Sequence, residues 1–249
     1  MSGPFAGRKV VLTGATRGIG ACMAQQLIDG GAHLVLPVRS PKALGPLLDR
    51  HAAQITILQT DLSDPAEVLQ LAGRIATDHP DCAGLINNAA VMVHTLYTGR
   101  DPALDRIAPE VALNLTAPMI LSARLLPVLA RQSGAFLCNV TSGLALSAKT
   151  EAAVYSGTKA GLRNFTRGLR NQVRQAGWDI TVTEALLPVV DTTLSSGGPE
   201  GKMPPEVAAR HILSGIGRQE TETFIGKARL LAAILRASPA LGHRMMARM

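Results

Sequence analysis

Short apolar runs alternate with longer amphipathic stretches along most of the chain, and this alternation limits the folds open to it. Strands that are apolar throughout are buried on both faces, which requires helices on both sides of the sheet. Parallel strands in turn need helical crossovers. The pattern therefore predicts an α/β fold, namely one doubly wound Rossmann domain with a parallel sheet of about seven strands and helices on both faces. The predicted strands are 9–13, 33–38, 54–59, 84–86, 135–140, 180–186 and 222–225, and the predicted helices are 19–29, 43–53, 65–78, 109–131, 153–176 and 205–217.

The composition agrees with one globular domain. Of the 249 residues, 47% are hydrophobic, 17% charged and only 3% aromatic, which excludes a wholly disordered chain and indicates an aliphatic core. We expect a single domain over 1–249, with a cofactor-binding half at 7–140, a catalytic half at 141–225 and a helical tail at 226–249. Scattered cysteines, the absence of a leader-like start and the lack of an apolar run of ~20 residues predict a cytoplasmic protein without a membrane span.

A glycine-rich segment follows the first predicted strand. Gly14, Gly18 and Gly20 are spaced G-x-x-x-G-x-G, and a predicted helix begins within the segment. Without a Cβ the backbone can approach a pyrophosphate, and the free N–H groups at the start of a helix favour its negative charge. This position between strand and helix predicts a dinucleotide-binding turn.

The residues after the second predicted strand indicate which dinucleotide is bound. An acidic side chain there would bind the adenosine ribose hydroxyls, but residues 36–40 read LPVRS. Arg39 offers a guanidinium suited to a 2′-phosphate, Arg17 can reach the same phosphate, and Lys42 lies nearby in sequence. We therefore predict NADP(H) in preference to NAD(H); the alternative is that Arg39 is a solvated surface residue.

Tyr155 and Lys159 are four residues apart in a predicted helix, so their side chains share one face. A nearby ammonium favours the phenolate, and we expect Lys159 to lower the pKa of Tyr155. Lys159 can also donate to a ribose hydroxyl. Upstream, Ser142 ends a predicted strand at the edge where open α/β sheets bind ligands, and its hydroxyl can donate to a substrate carbonyl.

These motifs, in this order, resemble the short-chain dehydrogenase/reductase family over residues 7–195. The resemblance implies that Tyr155 is the general acid/base, that Ser142 polarises the carbonyl and that Lys159 holds the ribose and tunes Tyr155. It also implies that Asn114 holds a water in a proton relay. The residues that carry it are TGxxxGxG at 13–20, NNAA at 87–90, Asn114, Ser142 and YxxxK at 155–159.

The same resemblance implies the cofactor contacts. Asp61 would meet the adenine, Asn88 would stabilise the central strands, and Thr192 would meet the cofactor. Two glycines usual in the family are replaced, by Ala90 and by Val189, and the valine narrows the space near the nicotinamide. A looser resemblance is to a bacterial subgroup named after the D-alanine transfer protein E. The expected cofactor-binding residues are Gly14, Thr16, Arg17, Gly18, Ile19, Gly20, Arg39, Asp61, Leu62, Asn88, Ala89, Tyr155, Lys159, Pro188 and Thr192.

Two basic segments lie outside these motifs. A stripe of four arginines along the predicted helix 153–176 is expected on a solvated or subunit-facing surface, since no aromatic platform for nucleic acid accompanies it. The tail 226–249 either covers the domain or a partner subunit, or it lies on an anionic membrane, which we do not expect. From the family resemblance we expect a homodimer or homotetramer that binds no nucleic acid. The four arginines are Arg163, Arg167, Arg170 and Arg174.

The leading hypothesis is an NADP(H)-dependent oxidoreductase that transfers hydride between nicotinamide and a small carbonyl compound or secondary alcohol. One alternative is a non-catalytic NADP(H)-binding sensor, which would not need the proton-transfer residues; another is a basic membrane- or nucleic-acid-binding module. The polar segment 195–203 is either a lid or an ordinary loop. Candidates for the substrate pocket are Met92, His94, Leu144, Leu146, Val189 and Val190.

Overall fold

The strands of the sheet are all parallel and follow the order β3-β2-β1-β4-β5-β6-β7 in the computed structural model, which describes residues 3–195 and 201–247. The strand order reverses between β1 and β4, and ligands of open α/β sheets bind outside the carboxyl ends at such a switch point. The predicted doubly wound Rossmann fold is confirmed. The strands are β1 Lys9–Leu12, β2 His33–Val38, β3 Ile55–Gln59, β4 Cys82–Asn87, β5 Ala135–Ser142, β6 Ile180–Leu187 and β7 Glu222–Phe224.

Helices cover both faces of the sheet because side chains alternate along each strand. In β1, Val10 and Leu12 pack into the aliphatic layer under α1 and α7, whereas Val11 packs into the layer under α3, α5 and α6. The helices are α1 Gly18–Asp29, α2 Gly45–His51, α3 Pro65–Asp78, α4 Ile107–Val111, α5 Ala117–Leu129, α6 Ala153–Gln175, α7 Pro205–Gly217, α8 Lys227–Ala237 and α9 Pro239–Ala247.

The predicted helix 109–131 is interrupted in the structure. A π-helical turn, Ala112–Thr116, separates α4 from α5, and the Ala117 N–H donates to the carbonyl of Ala112. Pro118 has no N–H to give to the carbonyl of Asn114, so the α-helical ladder cannot continue through this point. The interruption fixes the position of Asn114, which lies within the π-helical turn.

The helix that contains this turn is also long and apolar. Leu104–Leu129 is the single helical stretch in the described residues that meets the length and hydropathy expected of a membrane span, with a mean hydropathy of 1.5. Core helices of globular proteins meet the same criterion. Here Leu121, Leu125 and Leu129 are at most 1% exposed and pack against the sheet.

The C-terminal tail covers its own domain. The Ser147 hydroxyl and Nδ1 of His243 are 2.9 Å apart, and the Thr150 hydroxyl donates to the carbonyl of Ala247 at 2.8 Å. Leu231 of α8 and Met246 of α9 are buried. Of the alternatives for this segment, the structure therefore shows the intramolecular one.

The expected solvated or subunit-facing arginine stripe is wrong for Arg163, which is buried, and in part for Arg170, which is half-buried, whereas Arg167 is exposed as expected. Arg163 is buried and forms ion pairs with Glu184 and Glu222. Arg167 lies 3.1 Å from Glu222, and Arg170 donates to the carbonyl of Val182 at 3.1 Å. These cations dock α6 on β6 and β7, because the polar side of the helix faces carboxylates and carbonyls of the sheet edge.

Candidate active site

The glycine turn brings the backbone of β1 and α1 into close contact. Gly14 has φ +73°, a conformation that L side chains rarely adopt. A Cβ on Gly20 would lie 1.9 Å from the carbonyl oxygen of Gly14, and one on Gly18 would lie 3.1 Å from Cγ2 of Thr192. Only glycine therefore fits at position 20, and the start of α1 lies directly against the turn.

The ends of β1 and β4 are joined by Thr13. Its hydroxyl oxygen accepts hydrogen bonds from the N–H groups of Asn88 and Ala89 at 2.9 and 3.0 Å. The Asn88 side-chain amide donates to the carbonyl of Thr13 at 3.0 Å. Asn88 thus links the two central strands beside the glycine turn. Thr13 opens the TGxxxGxG motif, but the sequence assigned no role to its side chain.

A cleft of about 640 Å³ opens at the carboxyl ends of β1, β2 and β4. It is lined by every expected cofactor-binding residue except Pro188, which lies in a neighbouring cleft. Lys42 does not line it in the described part of the chain. Lining residues that the sequence analysis missed include Thr60, Ser63, Arg106, Leu113 and Thr193.

Three exposed cations line this cleft, Arg17, Arg39 and Arg106. Asp61 is held by Ser63, whose N–H and hydroxyl donate to one carboxylate oxygen at 2.9 and 2.7 Å. These hydrogen bonds hold the pKa of Asp61 below its usual value, and Arg39 lowers it further. The glycine cradle and the guanidinium groups of Arg17 and Arg39 fit the phosphates of a dinucleotide.

Tyr155 lines this cleft and also a second one, and only 7% of it is exposed. Burial raises the pKa of its phenol above the usual value; the Ser142 hydroxyl lowers that pKa, and the carboxylate of Glu110 raises it. We expected Lys159 to lower the pKa of Tyr155, but the structure shows a raised pKa, with burial as its main cause. The Lys159 ammonium donates to the carbonyl of Val140 at 2.9 Å, and burial lowers its own pKa to about 8.

Ser142 lies at the end of β5, which runs two residues beyond the predicted strand. Its hydroxyl oxygen accepts from the N–H of Leu144 at 3.2 Å, so its proton can be donated to the Tyr155 phenol or to a ligand. Ser142 and Tyr155 line the same cleft, as the sequence analysis expected of them.

Asn114 is fully buried in the π-helical turn. Its side chain accepts from the N–H of Val91 at 2.9 Å and donates to the carbonyl of Val91 at 2.7 Å. A weaker contact of 3.4 Å reaches the hydroxyl of Thr158. The side chain therefore ties the loop after β4 to the helix layer, and it is not directed at either cleft.

The second cleft has a volume of about 620 Å³ and is mostly apolar. It adjoins the first cleft, since Tyr155, Thr141 and Thr192 line both. Of the expected pocket residues, all but Leu146 line it in the described residues. Part of the candidate lid 195–203 lies outside the described residues. The wall contains Met92, Leu144, Pro188, Val189, Val190, Leu230, Leu231, Ile234, Met245 and Met246, with His94 at its edge.

Comparison with known proteins agrees with this geometry. A family model described as short chain dehydrogenase matches residues 8–201. The uncharacterized oxidoreductase DltE of Bacillus subtilis is 32% identical over 75% of this chain and 73% of its own length. A fatty acyl-CoA reductase of Acinetobacter baylyi is 26% identical over 96% of this chain and 83% of its own.

Solved structures show the same fold over almost the whole chain. A short chain dehydrogenase from Burkholderia cenocepacia in complex with NADP superposes with a TM-score of 0.84 at 24% identity, and 98% of each chain is covered. A short-chain dehydrogenase from Sphingobium yanoikuyae in complex with NADPH gives 0.79 at 26% identity, with 94% of each chain covered.

Proposed function

The chain belongs to the short-chain dehydrogenase family, and on that premise we propose that it is an NADP(H)-dependent enzyme that transfers hydride between nicotinamide and a carbonyl compound or secondary alcohol. One observation carries the proposal. Lys159 lines the glycine-turn cleft, Ser142 lines the apolar cleft, and Tyr155 lines both. Proton-transfer groups thus stand where a cofactor in one cleft meets a substrate in the other.

The chain's residues supply the proton side of the reaction. Bound NADPH supplies the hydride that adds to the carbonyl carbon. Tyr155 gives its phenolic proton to the carbonyl oxygen as the C=O π bond opens, and solvent later restores that proton. Ser142 donates a hydrogen bond to the same oxygen as negative charge develops there. The raised pKa of Tyr155 keeps the phenol protonated, as an acid in the direction of reduction must be.

Lys159 positions the cofactor in this scheme and does not itself transfer the proton. Its ammonium uses one hydrogen for the carbonyl of Val140, and the remaining hydrogens can bind a ribose hydroxyl. Asn114 acts through the main chain: because Pro118 cannot donate to its carbonyl, that oxygen can hold the water of the proposed proton relay.

The preference for NADP(H) is supported by Arg17 and Arg39 at the mouth of the cleft. Solved structures of similar proteins include one in complex with NADPH, from Sphingobium yanoikuyae, and one in complex with NAD, from Burkholderia phymatum, so the preference rests on these two arginines. An apolar carbonyl substrate is supported by the wall of the second cleft and by the relationship to a fatty acyl-CoA reductase. A homodimer or homotetramer is supported by the exposed apolar side chains of Leu96, Tyr97 and Leu104.

A panel of ketones, aldehydes and secondary alcohols, followed at the nicotinamide absorbance, tests the proposal. We expect NADPH oxidation with apolar ketones or aldehydes, and its loss in Tyr155→Phe. Tight NADPH binding without turnover of any member of the panel would favour the sensor instead. Binding of vesicles or nucleic acid without NADPH affinity would favour a basic binding module.

A further inference from the structure

We propose that the substrate is a carbonyl compound whose apolar body carries an anionic group, a carboxylate or a phosphate, bound by Lys149, Lys202 and Lys227. This inference rests on the proposed function, because it concerns the substrate of the same site. The second cleft combines mostly apolar walls with three positively charged side chains.

The wall of the second cleft fits an apolar body. Leu144 follows β5, Leu231 and Ile234 come from α8, and Met245 and Met246 come from α9. The volume of about 620 Å³ falls within the range of about 300–1,000 Å³ that takes medium-sized ligands. The contacts of Ser147 and Thr150 with α9 hold this wall in place.

Three lysines line the same cleft, against one carboxylate, that of Glu151, among the described lining residues. The side chain of Lys149 is 18% exposed and that of Lys202 is 15% exposed, so both are largely shielded from water. Lys227 is the first residue of α8 and is exposed. The cleft therefore has a net positive charge beside its apolar wall.

The carboxylates near these lysines do not satisfy them. The ammonium of Lys149 lies 3.6 Å from Glu151, and that of Lys202 lies 3.9 Å from Asp191, both beyond hydrogen-bond distance. The two carboxylates are 55% and 73% exposed and stay in contact with water. Lys202 also donates to the carbonyl of Ser195 at 2.6 Å, which leaves it two further hydrogens.

The cost of desolvation then selects the ligand. A neutral apolar ligand would remove water from the shielded ammonium groups and offer nothing in return, which is unfavourable. An anionic group replaces that water with charge-assisted hydrogen bonds. Reduction itself is unchanged: the ketone gains one hydride and one proton, and the anion takes no part in the chemistry.

Three methyl ketones with the same carbon skeleton test the inference: 2-octanone, 7-oxooctanoate and 7-oxooctyl phosphate, with NADPH as reductant. We expect kcat/KM to be about tenfold higher for an anionic ketone than for 2-octanone, equivalent to ~1.4 kcal/mol. Lys227→Gln should reduce this ratio roughly fivefold, and Lys149→Gln should act in the same direction. The control is Arg229→Gln, which removes an exposed cation of α8 that does not line the cleft and should leave the ratio unchanged.

A preference for the phosphate over the carboxylate would assign the anion to a phosphate ester, and the reverse would assign it to an oxo acid. Equal kcat/KM for all three ketones, or ratios that the lysine substitutions do not change, would overturn the inference. Binding to NADPH-loaded Tyr155→Phe, measured by calorimetry, separates the two proposals. If the proposed function fails, there is no turnover but the anionic ketones still bind more tightly; if only this inference fails, the three ketones bind alike.

Discussion

The ammonium nitrogen of Lys159 lies 5.7 Å from the centroid of the Tyr155 ring, one turn further along α6. Both side chains are buried, and burial acts on them in opposite directions: it raises the pKa of the phenol and lowers that of the ammonium to about 8. At pH 7 the structure therefore holds a neutral acid beside a cation. The cation is the group that titrates first as the pH rises.

The pH dependence of the reduction should follow Lys159. Because its pKa is about 8, the ammonium is mostly protonated at neutral pH and loses its charge above that value. We expect kcat/KM for NADPH to fall as the pH rises through about 8, while Tyr155 stays protonated. Lys159→Arg should remove this alkaline decline, because a guanidinium does not titrate in that range. An unchanged decline in the variant would assign it to another group.

Tyr155→Phe should separate proton transfer from binding. Removing the phenolic oxygen leaves the buried ring but no acid, so we expect kcat to fall by about 10²–10⁴-fold. The Kd for NADPH should stay within about twofold, because the phenol is not required for binding phosphates. Tyr97→Phe is the matched control, since Tyr97 is exposed and lines neither cleft in the described residues. Wild-type kcat in Tyr155→Phe would refute the mechanism.

The sheet and its helices could be predicted from sequence because apolar periodicity is a local property. β2 and α7 coincide with the predicted ranges 33–38 and 205–217. The π-helical turn could not be found in this way, since apolar residues continue through it and the cause is the missing N–H of Pro118. The arginine stripe shows the same limit: periodicity reveals a polar face but does not show that Glu184 and Glu222 face it.

Some features of the candidate site could likewise be predicted from the sequence, and others could not. Spacing alone placed Tyr155 and Lys159 on one helical face, and strand position placed Ser142 near them. The direction of the Tyr155 pKa was predicted incorrectly, because spacing reveals a neighbouring charge but not the burial that outweighs it. The lysines of the second cleft lie far apart in sequence, and only the fold shows that all three line one cleft.

Arg39→Gln should change the choice of cofactor. The guanidinium is exposed, so its loss should raise the Kd for NADPH by only about tenfold, less at high salt, and leave the Kd for NADH unchanged. Fluorescence titration with both cofactors measures the difference. Lys42→Gln serves as the control, because Lys42 does not line the cleft in the described residues. Equal weakening of both cofactors would show that Arg39 does not read the 2′-phosphate.

Gly20→Ala should damage the glycine turn. The new Cβ would lie 1.9 Å from the Gly14 carbonyl oxygen, so turn and helix must separate, at a cost of about 1–3 kcal/mol. We expect a lower Tm and a large loss of NADPH affinity. Gly168→Ala is the control, because Gly168 is on the exposed side of α6 and nothing lies within 4 Å of an added Cβ. This substitution should raise the free energy of unfolding by about 0.5–1 kcal/mol. Equal Tm values for the two variants would contradict this account.

Glu184 forms a buried ion pair with Arg163. Replacing one partner should lower the free energy of unfolding more than replacing both. Glu184 is fully buried, and it accepts a hydrogen bond from Thr141, the neighbour of Ser142, at 2.7 Å. Glu184→Ala leaves Arg163 buried with only the more distant Glu222, so we expect the free energy of unfolding to drop by about 3–5 kcal/mol.

Replacing both partners, in Glu184→Leu with Arg163→Met, should cost less than Glu184→Ala, because no uncompensated charge remains in the interior. Urea unfolding of the wild type, Glu184→Leu, Arg163→Met and the double variant gives the coupling energy directly. The exposed pair of Lys9 with Asp81, at 2.8 Å, provides the reference cycle and should yield no more than about 1 kcal/mol. If the two cycles gave equal coupling energies, the buried pair would contribute no more than a surface contact to holding β6 against α6.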